Sequence, residues 1–206
     1  MSDKIESTAF HKLSYGLFVV TCNDGERDNG LVVNTVIQQA SSPLKISVTI
    51  SKSSYSHDVI KSTKKLNVNC LSTDTPFSVF ENFGFKSGRD TDKMKDVFYW
   101  KSQNGLAVLS GEIINAFFSL EVTDYVDLGS HGLFICDVVE ARDASDTPSM
   151  TYEYYHKNVK PKKSDTGVKG YVCKICGYVH EGDTLPEDFI CPICKHGAVD
   201  FEKIQN

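Results

Sequence analysis

The chain has 206 residues, with 27 acidic against 22 basic side chains and a net charge of −5. An apolar content of 40% is enough to close a core, but no apolar run approaches the ~20 residues that span a bilayer. The acidic balance implies no basic face for nucleic acid. Residues 1–6 lack the basic-then-apolar pattern of a secretory leader. The seven cysteines, four of them in two close pairs, fit a reducing compartment better than a disulfide framework. A cytoplasmic protein without membrane or nucleic-acid partners is expected.

Taken in chain order, the pattern predicts a helix over 2–13 and then a strand over 17–22, closed by the Asp24-Gly25 turn signal. Residues 46–51 and 66–70 alternate apolar with polar, as half-buried strands do. Further helices are expected over 54–62 and 76–83, and further strands over 116–122 and 132–139. Cys22, Cys70 and Cys136 lie inside apolar strands and read as small core residues. Trp100 and the series Phe77, Phe80, Phe83 and Phe85 are also placed in the core. Many strands, turn punctuation and few helices imply a mainly β protein, an antiparallel barrel with peripheral helices. No G-x-G-x-x-G follows a strand and no P-loop motif occurs, so neither common nucleotide-binding loop is expected.

Residues 157–169 carry five lysines against one acid, contain Pro161 and Gly167, and lack apolar periodicity. They read as a linker between a domain at 1–156 and a small one at 170–206. In the small domain, Cys173 and Cys176 form one C-x2-C pair and Cys191 and Cys194 another, with 14 residues between them. Each pair places two thiolates on one side of a tight loop, and two such loops make a tetrahedral four-sulfur cage. Spacing alone admits either zinc or a single iron.

The segments Tyr171-Val172-Cys173-Lys174-Ile175-Cys176-Gly177-Tyr178 and Leu185-Pro186-Glu187-Asp188-Phe189-Ile190-Cys191-Pro192-Ile193-Cys194 resemble the two knuckles of a rubredoxin. That resemblance implies one redox-active iron on the four cysteines, with Tyr171, Tyr178, Phe189 and Phe201 packing around it. It also implies a backbone N–H at Gly177 directed to a sulfur. Lys195 stands where the family usually has glycine after the second pair, and the short spacer is closer to the compact rubredoxin-like modules.

Upstream, four runs resemble the FMN-binding split-barrel flavin reductases: Asn34-Thr35-Val36 through Ser41-Ser42-Pro43 to Ser51-Lys52-Ser53-Ser54-Tyr55-Ser56-His57, then Phe83-Gly84-Phe85-Lys86-Ser87-Gly88-Arg89-Asp90, Gly129-Ser130-His131-Gly132, and Thr151 to His156. The resemblance implies that Asn34, Thr35 and Val36 face the flavin edge and that Ser41 belongs to the same cofactor-binding stretch. It places Ser51, Lys52, Ser53, Ser54 and Ser56 at a strand-to-helix junction, where backbone N–H groups and the helix dipole suit a phosphate. Lys52, with His57 and Arg89, would add positive charge, and His131 would position nicotinamide or bond the ring. Tyr154, Tyr155 and His156 would line the flavin or a homodimer contact.

With the rubredoxin-like tail, the resemblance implies NAD(P)H as electron donor, FMN as converter between hydride and single electrons, and iron as the exit. The implied acceptor is a flavodiiron protein that reduces oxygen or nitric oxide. A shuttle reduced by another protein, never binding nicotinamide, is the alternative reading.

Overall fold

The computed structural model describes residues 7–161, 170–174, 178–191 and 197–204. The chain divides into two compact units, Met1–Lys160 and Pro161–Asn206.

The first unit is built on one seven-stranded antiparallel sheet. Its strands are β1 (Phe18–Asn23), β2 (Asp28–Val33), β3 (Val36–Ser41), β4 (Leu44–Ser51), β5 (Lys65–Leu71), β8 (Ile114–Asp127) and β9 (His131–Asp143), and a separate hairpin supplies β6 (Tyr99–Lys101) and β7 (Ala107–Leu109). Across the sheet the order is β2-β1-β5-β8-β9-β4-β3, so β2 and β3 are its edges. Inward side chains from the full width of the sheet share one core: Val20 and Cys22, Leu31 and Val33, Ile46, Val48 and Ile50, Leu66 and Val68, Leu120, Phe134 and Cys136. A flat sheet could not bring both edges to one cluster, so the sheet curls. Register shifts at Gln38/Ala40, Cys70/Leu71, Ser119/Leu120 and Val122/Asp124 supply local bends.

Helix α1 (Tyr55–Thr63) closes one end of this core with Val59 and Ile60. It stops where Lys64 adopts a left-handed conformation (φ 59°) and returns its N–H to the Ile60 carbonyl at 2.9 Å. A second cluster lies outside the curl, where α2 (Phe77–Phe85) buries Phe80 and Phe83 against Leu17, Val19, Phe117 and Met150. Phe80 and Phe83 are three residues apart and share one helix face.

All five strands expected from alternation and β-branched content are present. Strands β2, β3, β6 and β7 were not legible. β2 begins with Asp28-Asn29-Gly30, a turn-like triplet, and β3 is an edge with exposed Gln38 and Gln39. The N-terminal helix reduces to a 3-10 segment at Ser7–Lys12, with residues 1–6 outside the described part. Trp100, expected in the core, is 42% exposed, its ring standing perpendicular to that of Phe117 with centres 5.0 Å apart. After Met150 the chain forms a helical turn at Tyr152–Tyr154 that widens into a π-helix at Tyr155–Val159, and Tyr155 packs on Phe80 at 4.4 Å. That turn extends into residues expected as linker; 162–169 lie outside the described part.

The second unit carries a three-stranded sheet in the order β11-β10-β12, from β10 (Gly170–Cys173), β11 (Val179–Glu181) and β12 (Phe201–Lys203). Glycine is required at position 170, because a Cβ there would lie 2.3 Å from the His180 carbonyl across the pair.

Candidate functional site

The C-terminal end of β4 gathers most of the predicted flavin residues. Ser51 is the last residue of β4 and pairs directly with His131, the first residue of β9. Asn34 and Thr35 form the link between β2 and β3, and Thr35 bonds both ways with Thr49: its hydroxyl donates to the Thr49 carbonyl at 2.7 Å, and its carbonyl accepts the Thr49 N–H at 3.1 Å. Val36 opens β3 opposite Val48 and packs on the core. Between Ser51 and α1 the chain turns sharply. The Ser54 N–H donates to the Ser51 carbonyl at 3.0 Å, and the Ser51 and Ser53 hydroxyls lie 2.9 Å apart. Ser54 caps α1 in extended geometry without spending its hydroxyl on the helix. Thus α1 opens with first-turn N–H groups that have no acceptor within the helix.

Arg89 reaches this corner from a loop 36 residues away and donates to the Ser53 carbonyl at 3.1 Å. Its guanidinium sits 5.6 Å from the centre of the Tyr55 ring. His131 is exposed, with Nδ1 2.9 Å from the Ser130 hydroxyl. Hydroxyls, a helix N-terminus, a guanidinium and an imidazole on one exposed rim form a donor set suited to an anionic, ring-bearing cofactor.

The structure revises four of the expected residues. Lys52 does not offer an open charge: its ammonium is 2.6 Å from Asp127 at the end of β8, and that bond holds the lysine pKa up and the Asp127 pKa down. With the Lys52 N–H donating to the Ser130 carbonyl at 3.0 Å, the residue acts as a strut between the serine corner and the turn before His131. Ser56 and His57 point inward, at 1% and 3% exposure. The Asn29 amide donates to the Ser56 hydroxyl at 2.8 Å; His57 is set between Asp58 (2.8 Å) and the Tyr125 hydroxyl (3.2 Å), with its ring edge on Phe134. Ser41 pairs with Leu44 at the opposite end of β4, about 23 Å from Ser51 at ~3.3 Å per residue.

Residues that sequence reasoning missed supply the frame of the corner. Asp24 accepts the Tyr55 hydroxyl at 2.6 Å and the backbone N–H groups of Glu26 and Arg27 at 2.9 Å each. The tyrosine bond, then those N–H groups, hold its carboxyl at about 2. The Asp24-Gly25 pair announced only a turn. Nothing local signals contacts that close over 31 residues to Tyr55.

In the second unit, Cys173 and Cys191, one from each C-x2-C pair, are buried together with Phe201 and flanked by Tyr171, Tyr178, Leu185 and Phe189. The Cys173 N–H donates to the Tyr178 carbonyl at 2.8 Å. Cys176 and Cys194, with Gly177 and Lys195, lie outside the described residues. Two buried thiols in one small aromatic pocket fit half of a tetrathiolate cage.

Comparison with known proteins gives these sites a family. Residues 10–163 match the flavin reductase like domain, and residues 171–202 match the rubrerythrin, rubredoxin-like domain. The chain belongs to the flavin reductase-like family and ends in a rubredoxin-like domain. It is 35% identical to the high molecular weight rubredoxin of Moorella thermoacetica, over 97% of this chain and all of that protein. It is 32% identical to the ferric-chelate reductase (NAD(P)H) of Archaeoglobus fulgidus, over 77% of this chain and 93% of that protein. The fold is shared with the NADH:FAD oxidoreductase SgcE6 of Streptomyces globisporus, at a TM-score of 0.64 and 18% identity over 73% of this chain and 89% of that one. This flavin reductase-like protein is therefore an oxidoreductase of electron transport, with a flavin in the first unit and iron in the rubredoxin-like domain. Among the described residues no helix is long and apolar enough to cross a membrane.

Proposed function

We propose that the protein is a cytoplasmic homodimer that takes electrons from NAD(P)H, holds FMN in its first unit and one iron on Cys173, Cys176, Cys191 and Cys194, and delivers electrons to a flavodiiron-type reductase of oxygen or nitric oxide. The observation that carries this reading is the joining, in one chain, of a flavin reductase-like domain and a rubredoxin-like one. Bound FMN supplies the exchange between the electron pair of a hydride and single electrons, which neither nicotinamide nor iron makes alone.

The residues of the chain support it in defined roles. Arg89 and the first N–H groups of α1 hold the phosphate, with the Ser51, Ser53 and Ser54 hydroxyls beside them. Asn34 and Thr35 present backbone groups to the ring edge. His131, exposed and bonded to Ser130, orients the nicotinamide or bonds the ring. Lys52 fixes the geometry through Asp127 rather than contacting the phosphate. Exposed Ile37, Leu128 and Val126 give the first unit apolar surface for a second copy.

Anaerobic addition of NADH or NADPH to the purified protein tests the reading. The flavin and ferric tetrathiolate bands should bleach together within turnover time. Bands that persist under NAD(P)H yet bleach with a reduced protein donor would leave only the shuttle reading.

A further inference from the structure

Arg89 lies on a loop that is held at both ends by groups outside the Ser51–Ser54 turn. Arg27 donates from Nη2 to the Gly88 carbonyl at 2.7 Å. Its guanidinium sits 5.8 Å from the Tyr55 ring centre, so Arg27 and Arg89 both lie against the same tyrosine. Tyr55 is in turn fixed by its hydroxyl bond to Asp24, and Asp24 also holds the Arg27 Nε at 3.7 Å. The peptide ahead of Arg89 presses on Asn29: a Cβ at position 88 would lie 2.4 Å from Asn29 Oδ1. The Asn29 side chain is buried and anchored to Ser56, so it has no room to yield. At the far end, the Lys93 ammonium, 5% exposed, donates to the Gly30 and Phe83 carbonyls at 3.0 and 3.1 Å. The Asn82 amide donates to the Lys93 carbonyl at 2.6 Å.

We infer that Arg27 is a positioning residue for cofactor binding: through the Gly88 carbonyl and the Tyr55 ring that both arginines contact, it sets the place of the Arg89 guanidinium at the phosphate end of the flavin site. This rests on the reading of Arg89 as a phosphate ligand. The chemistry favours an arginine in that role. A planar fork bonds a carbonyl while keeping its face on an aromatic ring, whereas the flexible ammonium of lysine is a point charge without that geometry. A loop carrying an exposed arginine gains little order from its own Arg89–Ser53 contact. The Arg27 and Asn29 contacts preorganise it before the cofactor arrives.

The test is a comparison of FMN with riboflavin, which lacks only the phosphate, titrated into the full-length protein stripped of flavin and followed by quenching of flavin fluorescence. Arg89→Ala should raise the FMN Kd by about tenfold or more, the scale of a lost charge-assisted bond, and leave the riboflavin Kd within about twofold. Arg27→Ala should do the same at about five- to tenfold, and Arg27→Lys should not restore FMN binding. Gly88→Ala displaces the loop by a different route and should give the same phosphate-selective loss. Equal losses for FMN and riboflavin in Arg27→Ala, or restoration by Arg27→Lys, would overturn the inference. If Arg89→Ala itself leaves the FMN-to-riboflavin ratio unchanged, the phosphate assignment fails first and the positioning role falls with it.

Discussion

The two units treat the same residue type in opposite ways. In the first, Cys22, Cys70 and Cys136 are small apolar fillers in a core shared by strands across the whole sheet, and burial pushes each thiol up to about 12. In the second, the buried hydrophobic residues among those described are Val172, Cys173, Cys191 and Phe201, so cysteines of the two C-x2-C pairs are themselves half of that interior. A unit of about 40 residues buries too little apolar surface to fold well alone. The first unit should be stable through packing, and the second through its metal.

The sharpest way to break this contrast is Cys191→Ser. It should abolish the iron absorption and unfold the rubredoxin-like unit, because the binding free energy of a structural metal, on the order of 10 kcal/mol, is that unit's folding free energy. NADH-driven flavin reduction should stay within about twofold of the parent, since the first unit has a core of its own. Absorption and anaerobic kinetics on one preparation read both effects. Loss of flavin reduction would mean that the units depend on one another.

The mirror experiment truncates the first core. Phe134 is fully buried and edge-packed by His57 at 5.5 Å and Tyr125 at 5.1 Å. Phe134→Ala should lower the stability of the first unit by about 3–5 kcal/mol in denaturant titrations. The ferric bands should persist through that earlier transition. If both units melt together in this variant, the comparison between them fails.

Legibility in the sequence followed the range of the interactions. Strands β4 and β5 announced themselves through alternation, and the serine corner through a strand running straight into a helix, because both signals are local. β2 and β3 stayed hidden because edge strands need little β propensity once a neighbour offers its hydrogen bonds. Ser56 and His57 were misplaced by residue type, since serine and histidine beside Ser51–Ser54 look like ligands. Helical spacing held the correction: Ser56 lies three residues before Val59 and His57 three before Ile60, the buried face of α1. Lys52–Asp127 and Arg27–Gly88 join residues 75 and 61 positions apart, and no local pattern encodes them. The rubredoxin-like module was the most legible part because its chemistry is written in spacing.

A smaller effect separates the units by pH. A thiol raised in the fold from its ordinary 9.0 to about 12 gives stability that is complete well below pH 9 and drains as pH climbs through 9 towards 12, because the unfolded chain loses its proton first. Each such thiol contributes a slope of about −1.4 kcal/mol per pH unit in that window. Burial acts in the opposite sense on Lys93, taking it from 10.5 to about 8. Between those values the unfolded chain holds the lysine proton more tightly, so this term makes stability rise with pH. Three thiols act against one lysine, so the first unit should lose stability between pH 9 and 10, by about 2 kcal/mol from these four groups. Cys136→Ala costs stability at every pH through its small cavity, so slopes rather than absolute values decide the matter. Between pH 9 and 10 its loss of stability should be smaller than that of the parent by one thiol's contribution, about 1 kcal/mol. Urea titrations at pH 8, 9 and 10 measure it, with the flavin signal reporting the first unit. An unchanged slope would show that Cys136 titrates as if exposed, and would remove the contrast between filler and ligand at that position.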